Sequence, residues 1–187
     1  MNKDKVINNF KEILNEIPGK ENIDESVFCN TPKRVADFYE EIFAGLTINP
    51  RDFLKNKIPT SDTGVVVIKD IDFFSMCEHH FLPFFGKVDI GYIPNGDIVG
   101  FGDIVKVIEA LAKRPQLQER LSEEIASVIY EELSCSGVCV QIEAEHLCMT
   151  MRGVKKPGSK ILTLTSKGTF DDVNNRIEFL NLVRGGR

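Results

Sequence analysis

All three histidines of this chain lie within three residues of a cysteine. They fall into two short windows, Cys77-Glu78-His79-His80 and His146-Leu147-Cys148. Cys77 and His80 have the C-x-x-H spacing that a single turn can close around one ion. The second window ends a segment whose even positions are Val138, Val140, Ile142, Ala144, His146 and Cys148. Side chains alternate along a strand, so His146 and Cys148 are expected on the apolar face. An imidazole and a thiolate there are costly unless partnered, and a metal shared with the first window would satisfy both. Two arrangements fit. A closed structural site takes four protein ligands. An open site takes three, Cys77, His80 and Cys148, and holds a water, with His79 and His146 left beside it as acid and base. Cys29, Cys135 and Cys139 read as small hydrophobes.

Two further features could serve a ligand. From His146 to Phe170 there is no carboxylate, while Arg152, Lys155, Lys156, Lys160 and Lys167 are cationic. In a chain of net charge −5 this is a candidate phosphate clamp, though a solvated loop would look the same. Gln118 and Glu119 follow Pro115. A carboxylate can accept from two adjacent donors, such as N1–H and the 2-amino group of guanine. A charged helix face accounts for the same spacing.

These groups need a scaffold. A chain of 187 residues suits one main domain, and 42% hydrophobic with 27% charged residues excludes disorder and rods. The acidic balance argues against a nucleic-acid partner. The N-terminus shows no signal-peptide pattern and no run is long enough to span a membrane, so neither a membrane nor secretion is expected. Five cysteines, an odd number, suggest a reduced, cytoplasmic protein.

Val6, Ile7, Phe10, Ile13, Leu14 and Ile17 form one helical stripe ended by Gly19, and a second helix is expected from Thr31, with Pro32 at its first position. Together they predict an N-terminal helical lobe over residues 1–62. Residues 63–187 then give strands near 65–68 and 87–92, a helix at 104–111 capped by Asp103, a longer helix at 117–133, strands at 137–148 and 160–169, and a short helix near 177–182. This order predicts an α+β domain: an antiparallel four-stranded sheet with two helices on one face. The other face must be covered, for instance by another subunit.

With these residues in place, the chain resembles the GTP cyclohydrolase I family over about residues 31 to 170. The likeness rests on Ser75 to His80, Pro83 to Gly86, Tyr92-Ile93-Pro94, Arg114 to Leu121 and Glu143 to Val154. The resemblance implies the tunnelling fold and a toroidal homodecamer with active sites between subunits. It implies Zn2+ on Cys77, His80 and Cys148, with an open position for water. It implies hydrolysis of GTP at C8 with release of formate, and closure to 7,8-dihydroneopterin triphosphate. His79 would protonate the purine ring nitrogen and His146 would transfer protons. Gln118 and Glu119 would hold the guanine edge, and Arg152, Arg34 and Lys106 would serve the substrate.

One stretch departs from the family pattern. Where the family usually reads Leu-Ser-Lys and then Arg three residues on, this chain has Phe101-Gly102-Asp103 and Lys106. Leu164 and Lys167 likewise replace a usual serine and arginine. An anion in place of a phosphate-binding cation leaves a second reading: a divergent relative that stops at a ring-opened pyrimidine or takes a differently phosphorylated purine nucleotide. A third is a noncatalytic, zinc-stabilised assembly protein that binds a purine nucleotide.

Overall fold

The computed structural model describes residues 1–185. Contacts divide the chain into Met1–Ala44 and Gly45–Arg187. The division falls earlier than the 62/63 boundary read from the sequence. The 3-10 turn Pro50–Leu54 packs on helices of the larger unit, with Leu54 fully buried there.

The first unit holds α1 (Lys3–Glu16) and α2 (Glu25–Ile42). Asn2 and Asp24 cap them, each side chain accepting from a backbone N–H two or three residues on. Helix α2 begins well before Thr31, because Asp24 supplies a better start. Pro32 therefore sits inside it. Lys3 bridges Asp37 and Glu40 at 2.9 and 2.6 Å, tying α1 to α2.

In the second unit the elements run β1 (Ile58–Pro59), β2 (Val66–Cys77), β3 (Pro83–Ile93), β4 (Asp97–Ile98), α3 (Phe101–Ala112), β5 (Pro115–Gln116), α4 (Gln118–Leu133), β6 (Gly137–His146), α5 (Leu147–Thr150), β7 (Lys160–Gly168) and α6 (Val173–Arg184). The main sheet has the order β5-β2-β3-β6-β7. Its four long strands are antiparallel, and the two-residue β5 adds a fifth, parallel to the end of β2. This is the α+β layout expected of the tunnelling fold. Strand β2 is far longer than the β-branched run suggested. A bulge between Ile68 and Ile71, with Asp70 at φ 57°, breaks the alternation that would have revealed it.

Helices α3 and α4 share one face of the sheet. Ile104, Ile108, Leu121 and Ile125 meet Val88, Ile90, Tyr92, Val138, Val140 and Ile142, all fully buried. Ile108→Ala is therefore expected to cost about 2–5 kcal/mol, read as a lower denaturant midpoint at unchanged slope. Gly100, not Asp103, precedes α3 as its cap; Asp103 lies in the first turn and pairs with Lys106 at 2.8 Å. Gly86 permits a close strand crossing, since a Cβ there would lie 1.9 Å from the Glu143 carbonyl oxygen.

Helix α6 covers one end of the opposite face. Phe179 and Val183 pack there with Cys139 and Phe170. At the other end Phe74 stacks on Phe85 with ring centroids 6.0 Å apart, and Phe74 and Leu162 are exposed. Among the described residues no helix is long and apolar enough to cross a membrane.

Candidate metal and purine site

The two windows meet at one end of the sheet. Strand β2 ends at Cys77 and turns through residues 78–80, with the Cys77 N–H donating to Leu82 O at 2.9 Å and the Phe81 N–H returning to Cys77 O at 2.9 Å. Strand β6 ends at His146, and the chain then winds into the single turn α5. Cys148 therefore lies on a helical turn and not on the strand, as its alternation suggested. The turn still delivers it. One ligand atom each from Cys77, His80 and Cys148 lie within 4.8 Å of one another. His146 is outside this group, so among the described residues the cluster has three members.

The donor chemistry fits a metal ion. Burial raises the pKa of the Cys148 thiol, and the neighbouring Cys77 sulfur raises it further. A cation beside the two sulfurs would offset both effects on Cys148. Two sulfurs and an imidazole suit a borderline-soft divalent ion.

Strand β5 brings the purine-site candidates to the same place. It pairs Met76 with Pro115 and Cys77 with Gln116, and the Glu78 N–H donates to Gln116 O at 3.1 Å. Gln116 in turn donates from its side chain to Leu111 O at 3.1 Å and Glu124 Oε2 at 2.8 Å. Arg120 on α4 grips Glu78 at 2.7 Å and holds that carboxyl below its usual range. The result is a cavity of about 230 Å³ whose lining includes Cys77, His79, Gln118, Glu119, His146 and Cys148.

His146 is held on two sides. Its ring stacks on Phe84, its register partner on β3, with centroids 4.6 Å apart and planes 6° from parallel. Its Nε2 lies 2.8 Å from Gln118 Oε1. Burial lowers its pKa, and the charge of Glu119 opposes that shift.

The other candidates separate. Glu119 and His79 are exposed at the cavity. Gln118 is 2% exposed, and its amide hydrogens go to Ile142 O, Ile161 O and Thr163 Oγ1. Both are thus committed within the protein, which differs from the purine-edge role expected of it. Arg152 is exposed, with Nη1 2.7 Å from Nε2 of His80, beside the ligand group. Neither it nor Lys106 lines the cavity. Lys106 is paired with Asp103 and sits 6.0 Å from the Phe53 ring centre. Arg34 is exposed on α2 in the first unit. Phe84, Gln116 and Arg120 lie in stretches that the sequence reading singled out, but no spacing there signals their roles.

The model of the family described as "GTP cyclohydrolase I" matches residues 6–184. The chain belongs to the GTP cyclohydrolase I family. The GTP cyclohydrolase 1 of Fusobacterium nucleatum is 50% identical over 185 residues, covering 98% of each chain. That of Clostridioides difficile is 48% identical over 186 residues, covering 98% of this chain and 97% of the relative. A solved structure of "the archaeosine synthase QueF-Like in the apo form" aligns with TM-score 0.45 at 18% identity, over 56% of this chain and 93% of that one. Family membership makes this chain a hydrolase of the GTP cyclohydrolase I type, and the three-donor cluster gives it a place for the family's metal.

Proposed function

We propose that this chain hydrolyses GTP at C8 of the purine, releases formate and forms 7,8-dihydroneopterin triphosphate with Zn2+ as cofactor. The observation that carries the reading is the three-donor group of Cys77, His80 and Cys148 opening on a cavity that also holds two histidines and a carboxylate. Zinc bound there would supply an activated water for attack on C8. The rest of the work falls to the protein. Glu119 accepts from N1–H and the 2-amino group, which fixes the purine edge. His79, exposed at the cavity rim, donates a proton to the ring nitrogen as the imidazole ring opens. His146, half-buried and stacked on Phe84, moves the protons of the second hydration. Arg152, with Lys155 and Lys156 of the loop after α5, faces the triphosphate charge, whereas Lys160 is held by Glu143 at 2.7 Å.

Purified protein incubated with GTP should give formate and dihydroneopterin triphosphate by mass spectrometry, with about one zinc per chain in the same sample. Turnover without a pterin product would favour the second reading, a relative that stops at a ring-opened pyrimidine or prefers another phosphorylation state. That reading has its own support: Asp103 and Lys106 neutralise each other where the family places cations. No turnover, with metal still bound, would reject both.

We also propose a homodecamer in the cytoplasm. The bare sheet end with Phe74 65% exposed and Leu162 53% exposed suits a second copy of the chain. Phe74→Asp should shift the protein to a smaller assembly in sedimentation velocity, while unchanged sedimentation would remove this face from the interface.

A further inference from the structure

A histidine can accept a proton only at the ring nitrogen that carries no hydrogen, so the tautomer decides where His146 can act. We infer that Gln118, with Phe84, locks His146 with its hydrogen on Nε2 and its lone pair on Nδ1, which makes Gln118 a positioning residue for proton transfer. The inference deepens the proton-transfer reading of His146 given above and rests on it.

The orientation of the Gln118 amide decides which His146 nitrogen carries the hydrogen. Its nitrogen faces Ile142 O and Ile161 O, both at 3.1 Å, and Thr163 Oγ1 at 3.2 Å. A carbonyl oxygen can only accept. Turning the amide over would set its oxygen against two other oxygens, in a site where Gln118 is 2% exposed. The Ile142 and Ile161 carbonyls would lose this donor at once. The nitrogen therefore stays with the carbonyls, and Oε1 is the atom 2.8 Å from His146 Nε2. An amide oxygen also only accepts, so Nε2 must donate.

The stack on Phe84 holds the plane of the ring, and the hydrogen bond to Gln118 decides which way round it lies. The rings lie 6° from parallel at 4.6 Å. Turning the imidazole over within its plane would replace Nε2 by a C–H in front of Gln118 Oε1. Nδ1 has no protein hydrogen bond among the described residues, and His146 lines the cavity. Its lone pair is the one left for a substrate or water proton.

Ring nitrogen-15 NMR of the full chain tests this directly, since only three histidines contribute. The His146 signals are assigned by their loss in His146→Asn. The neutral ring should show hydrogen on Nε2 and none on Nδ1; hydrogen on Nδ1 would overturn the lock. Kinetics supply the second reading. Gln118→Met should lower kcat at least about 10-fold while KM for GTP moves less than about 3-fold. A large rise in KM at unchanged kcat would instead make Gln118 a purine contact. Gln118→Glu guards against misfolding: protonated, it can donate to a carbonyl and still accept from Nε2. It should restore the Nε2–H signal and most of the lost kcat, and failure with a folded protein counts against the lock. If His146→Asn itself leaves kcat unchanged, the proton-transfer reading falls, while the tautomer measured in the wild-type ring still decides the lock.

Discussion

Cys148→Ser should strip the protein of its metal and lower kcat/KM for GTP by at least about 10³-fold. The substitution changes one atom for another of similar size, so the fold should survive, as far-UV circular dichroism can check. The chemistry does not survive. Among the described residues the cluster has three donors, so losing one leaves Cys77 and His80 alone. A neutral hydroxyl is a poor replacement for a thiolate toward a borderline-soft ion. Metal content by mass spectrometry should fall from about one ion per chain to near zero. Retained metal with retained turnover would show that Cys148 is not a ligand. A chelator should silence the wild type in the same way and leave it folded, because the large core of α3, α4 and the sheet is built without the ion. Unfolding on chelation would instead support the closed, structural site.

His146→Asn should lower kcat by about 10²–10⁴-fold with metal content unchanged. The effect is large because, among the described residues, His146 is the cavity's one proton carrier fixed in place by both a ring stack and a side-chain hydrogen bond. Glu119 and His79 are exposed at the cavity, whereas His146 is held half-buried on Phe84. The change should also cost some stability. It opens space beside Phe84, and a poorly placed asparagine leaves Gln118 Oε1 without its donor, a loss of about 1–3 kcal/mol. A thermal melt measures that loss separately from turnover. A variant with normal kcat would remove His146 from the chemistry.

The contrast between these residues explains how far the sequence could be read. The three-donor cluster is legible because its signals are local: Cys77 and His80 share one C-x-x-H turn, and Cys148 stands two residues after a histidine. Helices α3 and α4 were legible because their stripes, Ile104 to Leu111 and Leu121 to Leu133, meet a single apolar surface. What stayed hidden depends on pairings between distant segments. The register that sets Phe84 opposite His146 has no sequence marker. The role of Gln118 is decided by carbonyls of Ile142 and Ile161, which every residue type carries equally. Alternation along the strand points Cys148 to the right neighbourhood, but the strand itself does not carry it there. The strand stops at His146, and α5 carries the sulfur to its place. The start of α2 is hidden because Pro32 resembles a first-turn proline, while Asp24 upstream caps a longer helix.

The two ends of the outer sheet face are finished differently. One is sealed by the chain's own α6, with Phe179 over Gly91. The other is bare at Phe74 and Phe85, on the reverse of the same strand ends that carry Cys77 and His146. Anything seated on the bare end presses on the backbone that sets the spacing of Cys77 and His146. A contact made there would therefore bear on the Cys77 and His146 end of the sheet from behind, without entering the cavity.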